Sequence, residues 1–433
     1  VENSIINIPS QFDLIKRESV DFTVVLFPPI WGVPHYIQTL LKKPFIGINT
    51  LWTVRNSRIN LQLRLYDSLW KKLTQRPVAG EFENKDLSSW IINSNNSSVT
   101  LSNDSFFGNR SLMIVFSKQG RATLKHPMQH TLTRETVLFL AIKSEKSPDL
   151  NITLELFDPY TYQNSTLSYI FRKNRIFCLL NNSVVREFPW SFNKSEWNVF
   201  RRKLMRDFEV LSYQRIETLT IEVVSSSSVL LDSINIFEDF FKEINDLKLF
   251  AVKYIVLYRD RQVISNYYTA ENYSKAEEVL KELSSIEYYL LLFNLAKKVL
   301  KNENLTILKL KNFKGFLFPL RPEEENLSAI YDWIDTNNIV IAIKTRQKCL
   351  LIMAQPYYSG WRVEILSGNT RIEVTDYNGT TLIRAKSSCK FQLSFREYDK
   401  TMRSFITIYG LVIPLSIITG FYVERKWRRK LEH

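Results

Sequence analysis

The run Val229-Leu230-Leu231-Asp232-Ser233-Ile234-Asn235-Ile236-Phe237 decides how the middle of this chain is read. Apolar residues recur at strand spacing around a few polar ones, the pattern of a strand with a buried face. Seven comparable runs come before it: Ser111–Phe116, Ala122–Lys125, Thr136–Lys143, Ile152–Phe157, Thr166–Arg172, Arg175–Leu180 and Thr218–Val224. Clusters of Asn, Ser, Gly and Asp separate them. Eight strand candidates at intervals of about 8–20 residues predict an antiparallel sandwich over 81–240, and the eight-strand form of that is a jelly roll.

The flanks have a different character. Phe22–Phe27 is a short apolar strand candidate stopped by Pro28-Pro29, and Arg58–Thr74 suits an amphipathic helix. Beyond the sandwich, Phe250–Tyr258 reads as a strand and Ser274-Lys275-Ala276-Glu277 as a capping box opening a helix. Tyr288–Phe293 is ambiguous, and Leu305–Leu310 alternates like a strand. Six further runs lie between Ile339 and Phe395. The two mixed pieces are each short for a separate core. The predicted class is therefore α+β multidomain, with a discontinuous α/β domain (1–80 and 241–328) interrupted by the jelly roll (81–240). A second β-sandwich (329–400), a single transmembrane helix (404–424) and a basic tail ending in a tag remnant (425–433) follow.

The transmembrane expectation rests on Phe405–Val423, which carries no charge and approaches the ~20 residues that cross a bilayer core. Arg425, Lys426, Arg428, Arg429 and Lys430 follow, so that end is expected in the cytoplasm and the bulk outside. Asn-x-Ser/Thr acceptors are spread over the proposed exterior at Asn95, Asn96, Asn103, Asn109, Asn151, Asn164, Asn181, Asn193, Asn272, Asn304, Asn326 and Asn378. This distribution suggests a glycosylated surface. Val1 is not a natural start, so an upstream segment is expected to have been removed.

Composition excludes more than it selects. A net charge of +14 is scattered, and no basic helix or zinc module points to nucleic acid. His35, His126 and His130 lack the spacing of a zinc site, and there is no GxSxG elbow or P-loop. Glu323-Glu324-Glu325 reads as a solvated loop. Of the three cysteines, Cys349 and Cys389 fall in strand-like runs of one late domain and are the disulfide candidates, leaving Cys178.

Three groups of residues resemble known families. Gly80-Glu81-Phe82-Glu83 with Trp90, Gly108–Val115 and Val229–Phe237 resemble jelly-roll carbohydrate-binding modules of the galactose-binding type. Val24–Pro29 with Lys43–Gly47, then Val252–Val256, Leu305–Leu310 and Ala354-Gln355-Pro356-Tyr357-Tyr358-Ser359-Gly360-Trp361 are similar, in order, to the outer region of YfhO-like and arabinofuranosyltransferase-D-like membrane glycosyltransferases of the GT-C superfamily. That family's catalytic membrane bundle has no counterpart in this chain, so no catalytic residue is carried over, and enzyme activity is left to an absent bundle or a partner.

The first resemblance implies a glycan site and a structural calcium. Tyr160 and Tyr162, in the turn-like Asp158–Gln163, and Trp190 are the glycan-binding candidates, because flat rings stack on the apolar side of a pyranose. Trp90 and Trp197 suit core packing better. Glu81 or Glu83 with Asp232 would hold the calcium; otherwise Asp232 is a hydrogen-bonding residue at a strand end. The sequence therefore points to a membrane-anchored, extracytoplasmic glycan-binding portion or accessory subunit of a GT-C-type cell-envelope glycosyltransferase, with a polytopic membrane protein and cell-envelope glycan as partners. The alternative is a structural or adhesive surface glycoprotein without transfer activity.

Overall fold

A computed structural model of the chain describes residues 23–28, 45–46, 57–74, 82, 87–172, 174–208, 213–261, 264, 273–321, 327–335, 338–356, 361–378 and 380–395. In chain order, β1 (Thr23–Phe27), β2 (Phe45–Ile46) and a helix (Ser57–Leu73) come first. There follow β3 (Ile91–Ser102), β4 (Ser111–Thr131), β5 (Thr136–Ser144), β6 (Asp149–Phe157), β7 (Asn164–Arg172), β8 (Arg175–Leu180), β9 (Ser183–Pro189) and β10 (Asn198–Lys203). A short helix (Leu204–Phe208), β11 (Arg215–Ser225) and β12 (Val229–Glu238) close that block. Next are a helix (Phe241–Asp246), β13 (Val252–Tyr258), a long helix (Tyr273–Leu292), β14 (Ala296–Lys301) and β15 (Leu305–Leu310). The remainder is all strand: β16 (Leu317–Pro319), β17 (Ser328–Asp335), β18 (Asn338–Lys344), β19 (Cys349–Pro356), β20 (Trp361–Ser367), β21 (Ile372–Tyr377), β22 (Thr380–Ala385) and β23 (Cys389–Phe395).

The large sheet is two layers joined by a bent pair. The first half of β4 pairs with β12 through Leu112–Ile114, and its second half pairs with β11 from Gly120 onward. β3 follows both halves and shifts register between Asn95 and Ser97, where Asn96 adopts φ 55°. Gly120 occupies the bend because a Cβ there would lie 2.8 Å from the Asn95 carbonyl oxygen. The front layer is thus β10-β5-β12 with the start of β4. The back layer is the end of β4 with β11-β6-β7-β8-β9. Leu138, Leu140, Leu154, Leu167, Ile221 and Ile234 pack between them.

Within the front layer β5 and β12 are buried on both faces, while edge strand β10 leaves Val199 and Arg201 exposed. Along β5, Leu138 and Leu140 face the sandwich core, while Val137 and Phe139 enter a second core shared with the mixed sheet β14-β15-β13-β1-β2. Phe237 of β12 likewise meets Tyr289, ring centroids 5.4 Å apart, and Phe139 meets Phe293 edge-on at 5.1 Å. Each such aromatic burial is worth roughly 1.5–3 kcal/mol. In the mixed sheet β1 runs parallel to β13 and β2. The 57–73 helix lays Leu65, Leu69 and Leu73, one helical turn apart, into this core, and the Tyr66 hydroxyl donates to the Leu26 carbonyl at 2.9 Å.

The C-terminal strands form two four-stranded sheets, β16-β19-β22-β21 and β17-β18-β23-β20. Alternate residues Ile339, Ile341, Ile343, Leu351, Met353, Ile383, Phe391 and Leu393 fill the space between them. Cys349 and Cys389 begin strands in opposite sheets and stand as separate buried thiols, so the disulfide pairing expected from the sequence is not made.

The described fold is β-rich with few helices. Ala122–Lys125 and Ser111–Phe116 belong to one continuous strand rather than two. The long helix runs to Leu292 and absorbs the ambiguous Tyr288–Phe293 apart from its last residue, because Ala276, Val279, Leu283, Ile286 and Leu290 continue one buried stripe. Ser274 lies inside that helix rather than capping it. Among the described residues no helix is long and apolar enough to cross a membrane; Phe405–Val423 lies outside them.

Candidate functional site

With β5 and β12 of the front layer packed against the mixed sheet, the outer side of the back layer and the ends of its strands remain open. One end carries the turn between β6 and β7. The Asp158 carboxylate accepts the N–H groups of Tyr160 at 2.8 Å and Thr161 at 3.2 Å, and the Asp158 carbonyl accepts that of Tyr162 at 2.9 Å. These bonds, that to Tyr160 foremost, hold the Asp158 carboxyl below its ordinary range. The turn places Tyr162 at φ 56°. Tyr160 and Tyr162 are 78% and 80% exposed. Tyr162 is steadied by an edge-on contact with Phe157 at 6.2 Å, and the Arg215 guanidinium lies 5.4 Å from the same Phe157 ring.

Arg215 pairs with Phe157 across β11 and β6, so the segment before β11 arrives at the same end. That segment holds Tyr213, at φ 91° and 64% exposed, tied by its N–H to the Leu132 carbonyl at 3.1 Å. Gln214 beside it lies close enough to the Asp158 carboxylate to help lower its pKa, after the turn's N–H bonds. Tyr160, Tyr162 and Tyr213 are the exposed aromatic residues among the described ones, and all three stand on adjacent connections at one end of one sheet. Tyr213 was missed in the sequence because it sits alone in a loop without an aromatic neighbour.

Trp190 is elsewhere. Its ring meets Phe171 at 5.3 Å and Phe200 at 6.3 Å, both edge-on, and its N–H donates to the Asn174 carbonyl at the far end of the β7–β8 hairpin. Near it a cleft of about 650 Å³ is lined by Asp149, Arg172, Asn174, Arg175 and Phe177. The structure therefore brings Tyr160 and Tyr162 together and leaves Trp190 at the opposite end. Trp90 is buried against His126, with ring centroids 5.0 Å apart, and Trp197 packs on Phe106.

Asp232 is buried and spends its carboxylate on the protein's own donors. One oxygen accepts Phe106 N–H at 2.7 Å and Phe107 N–H at 3.0 Å; the other accepts Ser233 N–H at 2.6 Å. Burial nevertheless pushes this carboxyl up to about 6. Through those bonds the carboxylate anchors the 106–107 loop to β12. Glu81 and Glu83 lie outside the described residues, and among the described ones no cluster of three His, Cys, Asp or Glu is placed to hold a metal. Of the sequon asparagines, Asn95, Asn96, Asn103, Asn109, Asn164, Asn181, Asn193, Asn304 and Asn378 are exposed. Asn151 is half-buried on the back layer, and Asn272 and Asn326 are outside the described residues.

The chain is similar to solved β-sandwich structures. A carbohydrate-binding module of the β-sandwich superfamily, described for its promiscuous specificity, shows 14% identity and a TM-score of 0.25 over 38% of this chain and 64% of its own. TmCBM61, solved in complex with β-1,4-galactotriose, shows 13% identity and a TM-score of 0.25 over 38% of this chain and 99% of its own. The family 11 carbohydrate-binding module from Clostridium thermocellum, in complex with a β-1,3-1,4-mixed-linked tetrasaccharide, shows 12% identity and a TM-score of 0.24 over 38% and 94%. Likenesses at this TM-score settle no ligand, and the strand order described above does not depend on them. No protein-family model matches the chain, and no curated protein matches it.

Proposed function

We propose that this chain binds a glycan at the tyrosine end of the back layer. The observation that carries the reading is the convergence of Tyr160, Tyr162 and Tyr213, exposed where every other ring of the sandwich is at least partly covered. An exposed ring costs apolar hydration, and a flat ring beside carboxylate and amide groups can recover that by stacking on a sugar while Asp158, Gln214 and Arg215 meet its hydroxyls. A binding module, with no reaction of its own, is the role such a surface suits. Immobilised glycan arrays probed with the labelled full chain test it: saturable binding to a defined glycan class is expected, and an array without signal at millimolar sites would end the reading.

We further propose that the module works outside the cell, anchored through Phe405–Val423, as the outer portion or accessory subunit of a GT-C-type cell-envelope glycosyltransferase. Support comes from the uncharged segment, its basic flank, the sequons and the ordered resemblances in the sequence. In this reading the mixed sheet with its helices is the α/β unit to which the sandwich is fixed. Protease added to sealed cells is expected to digest the body and spare the basic tail. Mild detergent extraction is expected to bring down a polytopic membrane protein with it.

A further inference from the structure

A β-bulge on β14 assembles a cluster that neither the fold nor the glycan reading requires. Lys298 pairs with Leu308 and Leu300 with Ile307, so Val299 is an extra residue in the ladder. In an unbroken strand Lys298 and Lys301, three positions apart, would point to opposite faces. The extra residue turns both toward the long helix, where their ammonium groups lie 2.7 and 3.2 Å from Glu287 Oε1. Arg259, immediately after β13, reaches Glu287 Oε2 with Nη2 at 2.6 Å and Ser284 Oγ with Nη1 at 3.2 Å.

Three cations thus surround one carboxylate, an excess of two positive charges. The side chains of Glu287 and Arg259 are only 9% and 14% exposed. Among the described residues no second carboxylate bonds any of the three cations, and Arg259 Nε is buried with no hydrogen-bond partner. Burial pulls the Arg259 guanidinium down from its usual range despite Glu287. Lysines on an edge strand commonly stand off into solvent to discourage pairing. A bulge and inward-turned lysines serve that role too on an edge strand such as β14, but it does not call for three cations around a single buried carboxylate. Arg259 follows the last residue of β13, while Lys298 and Lys301 stand on β14 at the sheet edge, beyond β15.

We propose that Arg259, Lys298 and Lys301 bind the phosphate group of a ligand, with Glu287 as the fixed carboxylate that orders the three cations beforehand. The two ammonium groups and the guanidinium supply charge-assisted donors to the phosphate oxygens. The site lies on a different sheet from the tyrosines, so it stands or falls apart from the glycan reading.

Inorganic phosphate is the probe. The unfolding midpoint of the full chain is measured in phosphate and in chloride at matched ionic strength, for the parent and for K298Q/K301Q. Those two lysine side chains are 39% and 51% exposed, so the variant is expected to fold. Phosphate is expected to raise the parent's midpoint, and the variant to bind it at least about tenfold more weakly. A parallel arm sediments the chain with phosphatidic acid or phosphatidylcholine vesicles. Capture by phosphatidic acid alone, lost in K298Q/K301Q, names a lipid headgroup as the source; a phosphate shift without capture names a soluble phosphate. Equal midpoints in phosphate and chloride, or a variant that responds like the parent, would overturn the proposal.

Discussion

Asn235 Nδ2 donates to the Tyr288 hydroxyl at 2.8 Å, and both residues are buried. This bond crosses the joint between the sandwich and the long helix, beside the edge-on contact of Phe107 with Tyr288 at 5.3 Å. A polar bridge in an otherwise apolar seam fixes one docking angle. Tyr288→Phe leaves one of the two Asn235 Nδ2 hydrogens without its acceptor, the other staying on the Ser233 carbonyl at 3.1 Å, and is expected to cost about 1–3 kcal/mol in urea unfolding. Because Val137, Phe139 and Phe237 face that seam, residues 86–240 expressed alone are expected to associate or precipitate rather than fold as a monomer.

Asp232 gives the stability a defined pH term. Its folded value of about 6 exceeds the unfolded 3.8, because burial outweighs the N–H bonds from Phe107, Ser233 and Phe106. A raised carboxyl disfavours the folded state when ionised: the cost is full above pH about 6, falls as the pH drops through that value, and vanishes below the unfolded one. It amounts to about 3 kcal/mol. Asp232→Asn is expected to lower stability most at low pH, where the neutral carboxyl holds the 106–107 loop without that cost, and to lose this portion of the pH dependence, so that the difference from the parent shrinks as the pH rises through about 6. The check is the difference between parent and variant unfolding free energies at pH 4.5 and 7.5.

Asp207, buried in the short helix that plugs the sandwich, accepts Arg202 Nη2 at 2.6 Å and Nε at 2.7 Å and the Tyr169 hydroxyl at 3.0 Å. Asp207→Ala strands Arg202 and the Tyr169 hydroxyl together, and is expected to cost about 3 kcal/mol by chemical denaturation. Gly120→Ala is expected to cost about 1–3 kcal/mol, since its methyl would press on the Asn95 carbonyl at the bend between the layers.

The thiols offer a direct check on the fold. Cys178 is buried and its thiol is pushed up to about 12, by burial first and by the Asp207 charge second; Cys389 is raised by burial. All three cysteines are expected to resist iodoacetamide in the native chain at pH 8. In denaturant without reductant, mass spectrometry is expected to show three adducts. A single adduct would restore the Cys349–Cys389 bridge.

Strands that bury one or both faces were legible from residue type alone: Arg175–Leu180, Leu305–Leu310 and Val229–Phe237 were placed to within a residue. The missed strands are polar or at edges. β3 is Ile-Ile-Asn-Ser-Asn-Asn-Ser-Ser-Val-Thr-Leu-Ser and β14 is Ala-Lys-Lys-Val-Leu-Lys; ladder hydrogen bonds, not apolar alternation, define them. The tyrosines at the turn were readable because Asp158-Pro159 announces a tight loop. Trp190 was not, since a ring's burial depends on what folds over it. Asp232 stood out in the sequence, but only the structure shows it gripping the 106–107 loop.

The glycan reading stands on three rings, and calorimetric titration of the best array glycan into Y160A/Y162A/Y213A tests it most directly. Each exposed ring is expected to contribute about 0.5–1.5 kcal/mol, so the triple variant should bind at least tenfold more weakly with an unchanged unfolding midpoint. Undiminished affinity in a folded variant would contradict the account and move the search to the cleft beside Phe177.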